Sequence, residues 1–385
     1  MLYQLENRFK GVVRSILFIL LFLLQGSSGY VLLIISTLFV MLFVVKFKDF
    51  LPLYFLLLVV GYLPYLFLGM LNSSISNIHI DVKYQVFAFL FLVVLLGIKK
   101  SEIISNLFKI NILVFMVFGL LYFDLIPNFW HESTIGVAGR MYGPSINVML
   151  FVLFYYIIEN RKLNRNMIFA LLISFVYILM TSNFMNLALL IGLTLLLMID
   201  YTSRFQIFVF LFLGGIVVYI LGDFLPDIVF QKASYLTNPW EYGSVATRIS
   251  DLSQAISNSR FTWATFIFGE GFGVTTTVFR INELNPSLSQ YYTYLEIDNG
   301  FYYLFHRGGM SLLLMFFLVH IYLAKLLPNS KSRLAFLLIV VVTNLLSIHY
   351  FTYWFNLLYA FLIIEKFGCR DIIGRLRIKF LLNPY

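Results

Sequence analysis

The apolar positions of this chain fall into blocks about 13 to 26 residues long, separated by polar clusters. That spacing is expected of helices crossing a hydrocarbon layer about 30 Å thick. Twelve blocks are read, at approximately 12–26, 30–45, 51–71, 83–98, 107–126, 146–158, 167–182, 187–200, 205–222, 299–324, 334–348 and 353–366. Several are short for the layer, which fits little tilt or deep packing. The pattern breaks once at length, in a polar excursion from Gly222 to Gly309 that includes a loop of about 75 residues between the ninth and tenth blocks; loops this long are usually functional. Smaller outward loops are read at 72–82, 127–145 and 349–353. The expectation is an all-α polytopic membrane protein: a single membrane domain over 1–385, a large outer loop at 223–298, and a basic tail at 367–385 on the cytoplasmic leaflet.

Composition agrees. Hydrophobic residues make up 61% of the chain and charged residues 12%, against about 25% charged in soluble domains, and the mean hydropathy is +0.90. The net charge of +9 does not imply nucleic acid, because the basic residues sit in short loops between apolar blocks. With the N-terminus inside, twenty of the 27 Lys and Arg fall on the inner side, as the positive-inside rule requires, and both termini are then cytoplasmic. Arg8, Lys10 and Arg14 before the run 15–24 resemble a signal peptide. A new apolar block follows at Tyr30, so an uncleaved first helix is expected. The single cysteine, Cys369, excludes an intrachain disulfide.

Within the outer loop, residues 244–258 read as a helix with an apolar stripe of Val245, Ile249, Leu252 and Ile256, and with Ser250, Asp251, Gln254 and Ser257 opposite. Arg248 and Arg260 bracket it. A loop arginine is ordinarily a solvated charge, but outward arginines run against the topology. Guanidinium also offers planar paired donors to phosphate oxygens, so a lipid-linked phosphate or pyrophosphate is the anion this cluster suits. Arg140, in Gly139-Arg140-Met141-Tyr142-Gly143-Pro144 at the mouth of the sixth block, is expected to join the same site.

Gly269-Glu270-Gly271-Phe272-Gly273 follows no βαβ pattern, which excludes a dinucleotide fingerprint. Two readings stay open: close backbone approach to a ligand, or a plain turn. A helix from Asp298 to Lys325 would be about 40 Å long and would project its first turns beyond the hydrocarbon. Asp298 then reads either as an N-cap or as a general base, with Glu296 as the second candidate base. Arg307 and His306 lie two turns deeper, where charge is costly; Arg307 is placed to reach phosphates, and His306 reads equally as a core histidine. His79, His131, His320 and His349 have no metal-ligand spacing.

Taken together, Gly139-Arg140 through Asn147, Arg248 through Arg260 with Phe268 to Gly273, and Asp298-Asn299-Gly300-Phe301-Tyr302-Tyr303-Leu304 running to Arg307-Gly308-Gly309 resemble the O-antigen polymerase and ligase superfamily, the Wzy-type polysaccharide polymerases in particular. The resemblance implies a GT-C-like membrane glycosyltransferase of the bacterial plasma membrane, without metal or cofactor. It would act on undecaprenyl-pyrophosphate-linked oligosaccharide at the outer face, with inversion. By that likeness Arg248, Arg260, Asp298 and Glu296 are the catalytic candidates, and Arg140, Arg280, Arg307, His306, Tyr302, Gly271 and Gly273 the substrate-side ones. The bilayer and the lipid-linked substrate are the implied partners, with a polysaccharide chain-length regulator left open. Ligases of the family place a histidine where this chain has Asp298, which favours a polymerase. A ligase-like transferase and a lipid-linked oligosaccharide flippase are the alternatives; the one-sided loop and the missing half-to-half symmetry count against the flippase.

Overall fold

The computed structural model describes residues 63–82, 150–155, 184–198, 243–259, 261–280 and 289–346, with isolated positions in 107–125, 158–178, at 215 and in 358–362. Arg140, Arg260, Cys369, His131, His349 and the basic tail lie outside the described residues, as do most of the first and second thirds of the predicted spans. What is described is mostly helical. In chain order it comprises α1 (Leu63–Asn72), α2 (Phe184–Met198), α3 (Gly243–Asn258), α4 (Trp263–Phe268), β1 (Thr276–Arg280), β2 (Gln290–Tyr294), α5 (Gly300–Lys325) and α6 (Ser330–Leu346).

Among the described residues α5 is the one helix long and apolar enough to cross a membrane, at 26 residues. A short turn sends the chain back as α6, whose first turn is capped by Asn329: its Oδ1 accepts from the Ser332 N–H at 2.7 Å. α5 and α6 run antiparallel, so the start of α5 meets the end of α6. There Gly300 lies against Asn344, and Asn299 Nδ2 donates to the Leu345 carbonyl at 3.0 Å. The other face of α6 packs on α2. An aromatic group ties residue 151 to α6 and to 361: Phe151 meets Phe336 and Phe361 edge-on at 6.3 and 6.5 Å. His320 closes this group from α5, with Nε2 2.6 Å from the Tyr359 hydroxyl.

Five expectations are corrected. First, the fold is not all-α. The outer loop contains an antiparallel hairpin pairing Thr276 with Tyr294 through Arg280 with Gln290, and its threonines and aromatics suit a pleated, half-buried surface. Second, α5 begins at Gly300 with Asn299 as its cap, accepting from the Tyr302 N–H at 2.8 Å; Asp298 is one residue outside, so it is not the N-cap. Third, α5 is interrupted at Gly309, whose φ of 61° is non-helical. Fourth, residues 75–82, read as an outward loop, are helical. The stripe on α3 is also rotated: Val245 and Leu252 face inward, but Ile249 and Ile256 are exposed and the buried face carries Asp251 and Ala255. Together with Val278, Ile297 and Tyr302, Ala255 forms the core beneath the hairpin.

The glycine run is what lets the loop enter the helical part. Gly271 has φ 92°, and a Cβ there would collide with the backbone of Leu68 and Gly69 in α1. The Phe272 N–H donates to the Tyr65 carbonyl at 3.0 Å, and Gly271 donates to the Arg307 carbonyl at 3.0 Å. The run is thus threaded between α1 and α5 by backbone contact. Gly271→Ala is expected to cost about 2 kcal/mol or more. Gly215→Ala, which meets nothing within 4 Å, is expected to change stability by no more than about 1 kcal/mol. Thermal unfolding of the two variants in detergent checks the contrast, and equal melting temperatures would remove the packing role.

Candidate functional site

The site is built on a buried charged pair. Arg307, in the second turn of α5, and Asp81, at the end of the helical stretch 75–82, are almost completely buried. The Arg307 Nε donates to Asp81 Oδ2 at 2.6 Å. A pair taken out of water is tolerable only when its remaining polar atoms are also satisfied, and here they are. Asp81 Oδ2 also accepts from the Gly273 N–H at 2.7 Å, and Oδ1 accepts from the Tyr303 hydroxyl at 2.9 Å. Arg307 Nη2 donates to the Leu295 carbonyl, and Nη1 donates to His306 Nδ1 at 2.9 Å. One ion pair therefore joins residues 75–82, the glycine run, α5 and the segment leaving β2. Arg307 is enclosed by protein partners, which corrects its expected role: it organises the site instead of reaching phosphates.

The contact with Nη1 fixes the tautomer of His306. Guanidinium only donates, so Nδ1 must accept and the ring proton sits on Nε2. Nε2 faces Glu270 Oε2 at 3.5 Å. The Glu270 carboxyl is held below the usual range, first by its hydrogen bond with His306, against the opposing effect of burial, with the Arg307 charge contributing. Tyr302 stacks on His306 with ring centroids 5.3 Å apart. Its hydroxyl lies 3.4 Å from Ser259 Oγ and 3.5 Å from Thr276 Oγ1, which places it in the loop core.

Outside this core the site opens to solvent. Arg248 on α3 and Asp298 before α5 are 50 residues apart in the chain, and both Nε and Nη2 of Arg248 lie 3.2 Å from Asp298 Oδ2. Two candidates read separately from the sequence thus form a single pair. Asp298 keeps 60% of its side chain exposed, and an exposed pair of this kind is worth about 0–1 kcal/mol, so it separates readily. Glu296 lies two residues away and is open at its surface, yet its carboxyl is pushed up. The packed protein around it removes solvation, and the Asp81 and Asp298 charges add to this against Arg307. Arg280 turns elsewhere, paired to Asp251 at 2.5 Å and lying over the Tyr294 ring. Gly271 and Gly273 face protein backbone, in α1 and at Ile78 respectively.

The structure thus brings together Arg248, Asp298 and Glu296 at the open edge, and Arg307, His306, Tyr302, Gly271 and Gly273 beneath it; Arg280 is set apart on the hairpin. Asp81, Glu270 and Tyr303 were missed as contributors. A carboxylate at the outer edge of an apolar block, level with the outward Arg307, was the available signal for Asp81. Among the described residues no three His, Cys, Asp or Glu side chains gather as a metal site. Comparison with protein-family models, with curated proteins and with solved structures gives no match.

Removing one partner of a buried pair strands the other. Asp81→Ala is expected to cost about 3–5 kcal/mol, and the double variant Asp81→Ala with Arg307→Leu less than the sum of the single changes. Unfolding of the two single variants and the double variant in detergent measures the coupling; additive losses would show that the pair is not a unit.

Proposed function

We propose that this chain is a membrane glycosyltransferase that polymerises undecaprenyl-pyrophosphate-linked oligosaccharide units into surface polysaccharide on the outer face of the bacterial plasma membrane. The observation that carries the reading is the meeting of Arg248 and Asp298 at 3.2 Å, beside Glu296 and next to the start of α5. A cation poised for pyrophosphate and two carboxylates suited to a hydroxyl stand together at the end of a helix long enough to span. Support for the wider architecture comes from the twelve apolar blocks and the distribution of Lys and Arg, with both termini cytoplasmic.

In this reading the incoming pyrophosphate takes over the Arg248 guanidinium from Asp298, since phosphate oxygens accept the same paired donors with more charge. The acceptor hydroxyl attacks the anomeric carbon of the donor sugar, forming the new carbon–oxygen bond as the bond to the phosphate oxygen breaks. The hydroxyl proton passes to Glu296, whose raised proton affinity suits a base, with the released Asp298 carboxylate beside it. The pyrophosphate leaves on its lipid carrier, its charge held by Arg248 and, from outside the described residues, by Arg260 and Arg140. Preorganised donors of this kind supply a large share of a barrier reduction.

The test is reconstitution with purified lipid-linked repeat unit, scored as a ladder of products. Arg248→Ala and Arg260→Ala are each expected to lower chain extension by about 10²-fold or more without loss of membrane insertion. Glu296→Gln is expected to lower it by about 10²–10⁴-fold. A base must be unprotonated, so the wild-type rate should fall on acidification above the ordinary carboxylate pKa of 4.5, and the residual Glu296→Gln rate should lose that limb. Normal-length polymer from both arginine variants would overturn the reading.

A further inference from the structure

Gly308 and Gly309 leave one flank of α5 without side chains, and α4 covers it. A Cβ on Gly309 would collide with the backbone of Ile267 and Gly269, and Phe261 and Phe266 set their rings against Phe305 at 5.3 and 5.6 Å. The outer side of this short helix is apolar and open. Its sequence WATFIF has no charge and no buried residue, Trp263 is 84% exposed, and Phe266, Ile267 and Phe268 are all exposed. A capping box closes part of its start, and one bond part of its end: Thr262 Oγ1 accepts from the Thr265 N–H at 3.2 Å, Thr265 Oγ1 accepts from the Thr262 N–H at 2.8 Å, and the Gly269 N–H donates to the Thr265 carbonyl at 2.8 Å. The remaining terminal N–H and C=O groups of so short a helix need water or headgroups, so with its apolar side chains outward it suits the edge of the hydrocarbon and not its interior.

Its height along α5 identifies the occupant. Phe305 stands roughly 20 residues before Lys325, about 30 Å of helix, which is the thickness of the hydrocarbon layer. If Lys325 marks the inner boundary, α4 lies at the outer one, the level where tryptophan concentrates. From Leu314 to Tyr322, α5 itself presents exposed apolar side chains, among them Leu314 and Leu318. α4 presents a second exposed apolar surface, beside the glycines. We propose that Phe261 and α4 dock in the outer-leaflet boundary of the lipid bilayer, with the Trp263 indole near the lipid carbonyls, and so hold the large loop down over the site. This rests on the membrane-spanning part of the function proposed above and not on its transfer chemistry.

The test uses the full chain in phosphatidylcholine and phosphatidylglycerol vesicles, with Trp130, Trp240 and Trp354 replaced by Phe so that Trp263 alone reports. Lipid brominated near its carbonyl end should quench Trp263 severalfold more than lipid brominated near its methyl end, and aqueous iodide should quench it little. A companion chain carrying Trp263→Phe and Leu318→Trp should be quenched most by bromine near the methyl end. Strong iodide quenching of Trp263 beside a lipid-quenched Leu318→Trp would overturn the docking while leaving the span intact. Loss of lipid quenching at both positions would overturn the span and the docking together.

Discussion

The described structure hangs on the contact between Asp81 and Arg307. Either charge alone in that position would be costly by several kcal/mol. Each is tolerated because the other is there and because backbone and hydroxyl groups complete both shells. The guanidinium that pairs with Asp81 also holds the Leu295 carbonyl, which sets where Glu296 and Asp298 leave the hairpin. The carboxylate that pairs with Arg307 also holds the Gly273 amide, which sets the path of the glycine run. The positions of the open-edge carboxylates therefore follow from an interaction that never meets solvent.

The pairs Arg307–Asp81 and Arg248–Asp298 differ in kind. Arg307–Asp81 is buried, and its partners lie on several segments, so moving it would disturb them all. Arg248–Asp298 is exposed, shares one oxygen and joins side chains on separate elements. The first behaves as a fixed frame. The second is weak enough for an anion to replace one partner. The exchangeable pair stands a few residues from the fixed one, so charge that can be redistributed borders charge that cannot.

Much of this was readable from the sequence wherever one local rule acted alone. The helix read at 244–258 is α3, although its apolar stripe is rotated, and the long apolar helix read from Asp298 to Lys325 is α5. The hairpin was missed although Thr276 to Arg280 and Gln290 to Tyr294 carry strand-forming residues, because the surrounding loop was read as a polar excursion instead of two short pleated runs. Of the two readings of Asp298, the N-cap falls one residue out, since Asp298 and Asn299 are both good capping types and only tertiary contact chooses between them: Arg248 pairs with the aspartate, and the asparagine caps the helix. Asp81 could not be paired with Arg307 by spacing, because the two are separated by 226 positions. The glycines read as turn or ligand residues, but Gly269, Gly271 and Gly273 abut α5, α1 and Ile78 of the stretch 75–82 respectively.

That separation has a consequence for how the chain is made. At about 5–20 residues per second, Asp81 leaves the ribosome roughly ten to fifty seconds before Arg307 exists to receive it. Over that interval its carboxylate has to remain hydrated, and the Gly273 amide it will bind is made only 34 residues ahead of Arg307. The frame of the site therefore closes only after the late helix is in place, so a chain interrupted anywhere before α5 carries the early carboxylate without its partner. Assembly of the site becomes a report that synthesis has passed that point.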